Sequence, residues 1–336
     1  MKRVLLFILP IVVALLFYEA SSANTQTKTN ITLKQKLKEK IDKEYLENAI
    51  KKAIKDREFQ EAQSYIALSS TLNIAIDPTL EKELKKRQSS IDEYFKKGQD
   101  FIKGFISGKS QNGASLAGSV ASDFSIVGDV RDIYKEGSHY IKDEPYDKFI
   151  LSLSMLGVGL SVATISTFGV AAVPKAAVSV LKSAKKSKAI SKNFSKIIAK
   201  KLEKSVDLKV LKSIDLSSIS SIKKSSKAIK KAINPKPIKA LLKDINTIKK
   251  NTSTVDAIKI LRYIDNQKEL QEAIKITTRY KKSSLAIFKS LGKGVFRTTK
   301  IIVKKSALYL PMIIGFFVTL FLWIVLLLKA IKSILF

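Results

Sequence analysis

The chain has 336 residues, of which 46% are hydrophobic and 27% charged, a composition that excludes a wholly disordered protein. It contains no cysteine, which excludes disulfides, thiolate nucleophiles and Cys-ligated metal sites. With 13 Gly and 7 Pro, turn signals are too few for many short strands, so we predict an all-α fold. The net charge of +32 is uneven: residues 24–148 carry 22 Lys and Arg against 20 Asp and Glu, whereas residues 182–305 carry 34 against 8.

The N-terminus has the parts of a secretory signal. Two basic residues and an apolar run over residues 4–18 precede a small-x-small sequence that ends at Ala23. We predict a signal peptide over residues 1–23, with an uncleaved anchor as the alternative. In both cases residue 24 onward would start outside the cytoplasm.

Residues 24–106 are predicted to form a helical hairpin domain. An apolar stripe over residues 46–54 and another over residues 59–69 follow helical spacing, with a break at Asp56. Asp77 is placed to cap a further helix that begins at Pro78. Residues 107–148 are then predicted to contain a Gly- and Ser-rich linker and an acidic element.

The acidic element reads Val-Gly-Asp-Val-Arg-Asp over residues 127–132. Its local chemistry predicts that Gly128 allows a close backbone approach and that Asp129 caps the helix that follows. The other interpretation is an oxygen-only site for magnesium or calcium, although the spacing fits no calcium-loop pattern. The metal candidates are Asp123, Asp129, Asp132 and Glu136.

This element resembles an uncharacterised family of bacterial membrane proteins. The similarity extends to a Gly/Ser/Ala-rich apolar stretch that ends at Pro174, to residues 258–265 and to residues 291–294. A similar element occurs in the pre-toxin regions of some secreted bacterial toxins. The resemblance implies an envelope protein and no known activity, and this chain lacks the cysteines of the family's external domain.

The central apolar segment covers residues 149–181, of which residues 149–173 are uncharged and long enough to span a bilayer. Acidic residues precede it and lysines follow it, so the positive-inside rule predicts a crossing from outside to inside. A buried hairpin in a helical bundle is the alternative. A crossing here would place the near-neutral part outside and the basic part inside.

Residues 182–305 are predicted to be a basic helical domain. Apolar residues over residues 189–202 follow helical spacing, which predicts an amphipathic helix on an anionic membrane surface. Its membrane-contacting lysines are Lys188, Lys192, Lys196, Lys200 and Lys204. Ser253 and Asn266 each occupy a helix-start position. Nucleic acid is not favoured as a partner, because no DNA- or RNA-binding signature is present and Lys predominates over Arg.

The C-terminal segment, residues 306–336, is predicted to hold a transmembrane helix. The 21 residues 308–328 are uncharged and span about 31 Å as a helix, which matches the hydrocarbon thickness of a bilayer. Lys304 and Lys305 flank its start, and Trp323 is suited to interface contact.

The sequence favours no catalysis and no cofactor. His139 is the single histidine, and neither a nucleophile elbow nor a phosphate-binding loop is present. We therefore expect a membrane-anchored scaffold or interaction protein of the bacterial inner membrane, with an external N-terminal domain, anionic lipids and an unidentified envelope protein as partners. The alternatives are a toxin-like or pore-forming effector, whose central segment inserts conditionally, and a nucleic-acid-binding protein.

Overall fold

The structure, a computed structural model, describes residues 33–96, 126–166 and 175–297, and four helical positions nearer the C-terminus, Phe317, Leu320, Phe321 and Ile324. Residues 1–23, residues 107–125 of the predicted linker region and most of the predicted transmembrane helix lie outside these ranges. The described residues are mostly helical and form no strand, which confirms the all-α prediction. Contacts divide the chain into a large unit, residues 41–292, and a smaller unit from residues 1–40 and 293–336.

The large unit contains thirteen described α-helices and three short 3₁₀ helices, over Leu208–Ser213, Leu261–Tyr263 and Lys281–Ser283. The α-helices are α1 Lys43–Lys55, α2 Phe59–Leu72, α3 Pro78–Lys96, α4 Ile126–Ile141, α5 Lys148–Ser166, α6 Lys175–Lys186, α7 Lys192–Glu203, α8 Ile219–Lys224, α9 Ser226–Lys231, α10 Lys236–Asn251, α11 Thr254–Ile260, α12 Gln267–Tyr280 and α13 Ser284–Leu291.

Several predicted helix boundaries are confirmed, because short-range hydrogen bonds set them. The Thr79 amide donates to Asp77 Oδ1 at 2.8 Å, and α3 begins at Pro78. Ser253 caps α11 by accepting a hydrogen bond from the Asp256 amide, and Asn266 caps α12 in the same way. The break between α1 and α2 contains Arg57 in a left-handed conformation, with a φ of 59°.

The hairpin of α1 and α2 packs on the last helix of the unit. The Ala286 amide donates to Ser64 Oγ at 2.8 Å, in the buried face between α2 and α13. Tyr45 Oη donates to Ser290 Oγ at 3.1 Å. These residues come from the two parts that we expected on opposite sides of a membrane. That prediction is wrong for the described residues, because direct hydrogen bonds and buried side chains leave no room for a bilayer between the two parts.

Helix α5 contains most of the central apolar segment, and other helices of the protein surround it. Its large side chains from Phe149 to Leu160 are buried, with α4, α6, α7 and α9 packed around them. This arrangement corresponds to the buried alternative rather than to a helix in contact with lipid. Within the described ranges, no helix combines the length and the apolar composition that crossing a membrane requires.

Helix α7 also differs from its expected environment. Its apolar side chains Phe194, Ile198 and Leu202 are buried, and the helix packs against α5 and α10. We expected this apolar face to lie on lipid, but in the structure it belongs to the protein core. Only the lysine-bearing face of α7 remains available for another molecule.

Candidate functional site

A buried group of charged side chains joins α4 to α6, and we call it the ionic cluster. Lys182 of α6 has no exposed surface, and its Nζ lies 2.6 Å from Asp129 Oδ1 and 3.2 Å from Asp132 Oδ2. Lys186, one turn further along α6, donates to Asp132 Oδ2 at 2.7 Å. Because charges buried this deeply require partners, the cluster fixes how α4 and α6 pack against each other.

Two further cations surround the same carboxylates. Arg131 donates to Asp132 Oδ1 at 3.0 Å, and Lys175 Nζ lies 3.7 Å from Asp129 Oδ2. Burial raises the pKa of the Asp132 carboxyl, but Lys182, Lys186 and Arg131 outweigh that effect and hold the pKa below its ordinary value. Asp132 is therefore ionised at neutral pH, as an anchor for the lysines of α6.

The ionic cluster rests directly on the backbone of α5. A Cβ atom at Gly157 would lie 2.7 Å from Cγ of Asp129, a distance that real side chains do not tolerate. Glycine at this position lets the carboxylate approach the helix closely. Gly157 belongs to the Gly/Ser/Ala-rich apolar stretch, and the structure identifies its close neighbour as a carboxylate.

The acidic element does not have the expected geometry. Asp129 lies inside α4 rather than before it, so the prediction that it caps the following helix is wrong. Asp147 has the capping role instead: its Oδ1 accepts hydrogen bonds from the amides of Phe149 and Ile150, each at 3.0 Å, at the start of α5. Glu136 Oε2 accepts from the Asp147 amide at 2.7 Å and so supports this cap.

The proposed cation ligands thus have protein partners. Asp129 and Asp132 contact lysines, and Glu136 accepts a backbone hydrogen bond. Among residues that the structure describes, no three His, Cys, Asp or Glu side chains come close enough together to hold a metal ion. Asp123, the fourth candidate, lies outside the described residues.

A row of exposed lysines follows α7, and we call it the lysine ridge. Its members are Lys188, Lys192, Lys196, Lys200 and Lys204, all of which are exposed. No acidic side chain of the described ranges lies within 4 Å of any of their Nζ atoms. Lys192, Lys196 and Lys200 lie on α7, whereas Lys188 lies in the turn before it and Lys204 is its C-cap residue. Lys304, Lys305 and Trp323 lie outside the described residues.

A second charged group, the hairpin cluster, joins α2 to α11 and α13. Lys259 Nζ lies 2.7 Å from Glu58 Oε2 and 3.3 Å from Glu61 Oε2, and Lys289 also bonds to Glu61. A cavity of about 690 Å³ opens beside it, with Tyr65 in its wall. Burial raises the pKa of the Tyr65 hydroxyl, with a further contribution from neighbouring Tyr45. The sequence did not indicate this site, because its residues are some two hundred positions apart.

Asp256 is a buried carboxyl near the hairpin cluster. Its residue is 4% exposed, and Oδ1 has no hydrogen-bond partner among the described groups. Burial raises its pKa from 3.8 to about 6, against smaller lowering contributions from Ser253 and Lys259. The sequence predicts a helix start at Ser253, but that pattern does not reveal the burial of the neighbouring Asp256 carboxyl.

The single histidine lies at the surface. His139 Nε2 is 3.7 Å from Glu144 Oε2, and the two side chains are 39% and 50% exposed. In the described part of the chain, no buried side chain orients this imidazole and no nucleophile is bonded to it.

No family model matches the sequence, and no curated protein or solved structure is similar to it.

Proposed function

We propose that this chain is a membrane-anchored helical interaction protein of the bacterial envelope, which acts without catalysis and holds its lysine ridge against anionic lipid headgroups. The observation that carries the proposal is the ridge itself: three exposed lysines on α7, Lys192, Lys196 and Lys200, with one more exposed lysine beyond each end, while the apolar face of the helix is buried in the core. A Lys near an anionic membrane surface contributes about 1 kcal/mol to binding, so a row of them gives a substantial attraction.

The anchor in this proposal is the apolar segment over residues 308–328. Its four described positions, 317, 320, 321 and 324, are helical. Phe317 and Phe321 are 59% and 66% exposed, whereas most large apolar side chains of the large unit are buried. Exposed aromatic side chains on an uncharged helix fit contact with lipid better than contact with water.

Because residues 43–72 pack on residues 281–291, the whole large unit lies on one side of the membrane in this proposal. The predicted N-terminal signal places that side outside the cytoplasm. The chain would interact there with envelope partners through the surface of the unit. In this proposal the near-neutral part and the basic part lie on the same side of the membrane, whereas the charge distribution predicts that they lie on opposite sides.

The absence of cysteine allows a direct test of this topology. Single cysteines introduced by Glu44→Cys and Lys243→Cys, both at exposed positions, would be treated with a membrane-impermeant maleimide after release of the outer envelope layer. We expect equal labelling of both, and labelling of Ser333→Cys only after the membrane is permeabilised. Labelling of one of the first two positions without the other would contradict the proposal.

Contact of the ridge with lipid is tested by fluorescence. A fluorophore at Asn193→Cys, between two ridge lysines, would be exposed to an aqueous quencher in nanodiscs of neutral or anionic phospholipid. We expect protection in anionic nanodiscs alone, and loss of that protection when the five ridge lysines are replaced by Gln. A fluorophore at Glu44→Cys is the control. Equal quenching at Asn193→Cys in both lipids would contradict the proposal.

A second candidate function is conditional insertion of α5 into a bilayer. The specific observation in its favour is that α5 is apolar on all sides and enclosed by four other helices. An effector of this kind would release the contents of anionic vesicles when triggered by low pH. Under the leading proposal, the full chain causes no release between pH 4 and pH 7, and a cysteine at the buried Ser154 stays unreactive throughout.

A further inference from the structure

A cavity of about 660 Å³ lies between the start of α5 and the outer half of α7. Phe149, Ala199 and Leu202 form apolar walls, and Pro145 and Tyr146 extend them at the loop before α5. The volume is within the usual range for small-molecule sites. Apolar walls of this kind favour a hydrocarbon over a polar metabolite.

The cavity is held open by fixed groups. The Tyr146 ring stacks edge-on against Tyr140, with ring centroids 5.3 Å apart. Phe149 is held by the Asp147 cap at its amide, and Lys185 Nζ lies 5.2 Å above its ring. The walls are therefore parts of a packed structure, and binding would not have to create the space.

The lining of the cavity includes four lysines and three acidic residues, a formal surplus of one positive charge. Three acidic residues line it, and each already serves another group: Glu136 bonds to the Asp147 amide, Asp147 caps α5, and Glu203 pairs with Lys148 at 2.8 Å. Lys196 of the lysine ridge lines the same cavity without an acidic partner in the described ranges.

Lys185 is only weakly compensated. Its Nζ lies 3.9 Å from Asp147 Oδ2, which is beyond hydrogen-bond distance, and the side chain is 34% exposed. An anion at the mouth would therefore meet two ammonium groups with unused donor capacity, from α6 and α7. Positive charge beside an apolar interior is complementary to a molecule with a negative head and a hydrocarbon tail.

We infer that this cavity binds a single-chain anionic lipid of the fatty-acid class. The acyl chain lies along Phe149, Ala199 and Leu202, and the carboxylate lies between Lys185 and Lys196. This site shares Lys196 with the lysine ridge, but its apolar walls do not depend on contact of the ridge with a bilayer. The inference gives the chain a lipid ligand bound one molecule at a time, in addition to the membrane contact proposed from the lysine ridge and residues 308–328.

The test uses the full chain in nanodiscs of neutral phospholipid and a hexadecanoic acid that carries a diazirine on its chain. We expect light-induced labelling of peptides that contain residues 145–152 or 195–203, and competition by dodecanoate but not by dodecanol. Labelling confined to residues 308–328 would overturn the inference. Equal competition by dodecanol would overturn the assignment of an anionic ligand.

Variants separate the two halves of the site. Lys196→Gln should weaken dodecanoate competition about tenfold, since it removes one charge-assisted hydrogen bond. Lys200→Gln, one turn along the same exposed face, is the matched control and should change nothing. Equal effects of the two would show a general charge attraction and overturn the site.

The apolar half is tested by filling the cavity. Ala199→Trp should abolish the labelling of these peptides for which dodecanoate competes. Any labelling that remains should be insensitive to dodecanoate. Circular dichroism checks that the variant is folded. Ser195→Trp occupies the same cavity from the next turn and serves if the first variant does not fold. Undiminished labelling of residues 145–152 in a folded filled variant would overturn the inference.

Discussion

The two charged clusters use the same side-chain types and differ in their access to water. In the ionic cluster, Lys182 and Asp129 have almost no exposed surface. In the hairpin cluster, Lys259 is 17% exposed and Lys289 37% exposed, and both bond to Glu61. Removal of Lys182 takes away the closest lysine of the buried Asp129, whereas Glu61 keeps a second lysine when Lys259 is removed. The same chemical pair should therefore contribute very differently to stability in the two places.

The largest effect is expected from Lys182→Met. This change removes the 2.6 Å contact of Lys182 with the buried Asp129 carboxylate, and it should lower the free energy of unfolding by about 3–5 kcal/mol. Urea denaturation followed by circular dichroism measures it. Lys188→Met, at an exposed position on the lysine ridge, should stay within about 0.5 kcal/mol of the parent. The double variant Asp129→Asn with Lys182→Met should recover part of the lost stability. Equal losses in Lys182→Met and Lys188→Met would contradict the expected difference between a buried and an exposed lysine.

Gly157→Ala should have the next largest effect. The new methyl group cannot occupy its position unless the Asp129 carboxylate moves away from α5, which disturbs its bond to Lys182. We expect a loss of about 2–3 kcal/mol by the same denaturation assay. Gly137→Ala in α4 is the control, because its nearest neighbour is a flexible Leu216 methyl at 3.2 Å. The description of the cluster would need revision if Gly157→Ala were as well tolerated as Gly137→Ala.

Asp256 shows the behaviour of a buried carboxyl that lacks a lysine contact. Its pKa of about 6 means that the folded state holds a proton that the unfolded state loses near pH 4. Stability attributable to this group is therefore present below about pH 4 and is lost as the pH rises to about 6. Asp256→Asn should abolish this slope and raise the unfolding free energy at pH 7 by about 2 kcal/mol.

Denaturation curves between pH 4 and pH 7.5 check this prediction. Asp244→Asn is the matched control, since the Asp244 carboxylate is bonded to Gln267 and Gln271 in an exposed position. It should leave the slope unchanged. The assignment would be refuted if the parent protein and the Asp256→Asn variant showed the same dependence of stability on pH.

Lys259→Met should have the smallest effect. Glu61 keeps Lys289, and the partly exposed Glu58 can bind water, so we expect a loss of about 1 kcal/mol. Addition of 1 M salt should reduce the difference further, since exposed charges are screened. A loss equal to that of Lys182→Met would mean that burial does not distinguish the two clusters.

The sequence predicts features that depend on near neighbours. The starts of α3, α11 and α12 were found because a capping side chain and the amide that it binds are two or three residues apart. The break near Asp56 and the apolar face of α7 were found by periodicity in the same way. What these patterns do not contain is the identity of the surface that an apolar face meets, so lipid was expected around α5 and α7 where the structure has protein.

The candidate site was predictable in part. The five ridge lysines follow from their spacing of four residues, and their exposure agrees with that pattern. The roles of Asp129 and Asp132 do not, because Lys182 lies some fifty positions further along the chain. From the sequence alone, the separation of the near-neutral part from the basic part was interpreted as two parts of the chain on opposite sides of a membrane. In the folded chain the same separation provides opposite charges for pairing.

The contact of the hairpin with α13 constrains how this protein is made. Tyr45 and Ser290 are 245 positions apart, so α1 and α2 leave the ribosome long before the helix that covers their apolar face exists. Contacts of such long range slow folding and expose hydrophobic surface in the interval. Closure of the unit therefore waits until α13 has been synthesised, and until then the apolar face of the hairpin lacks the helix that covers it.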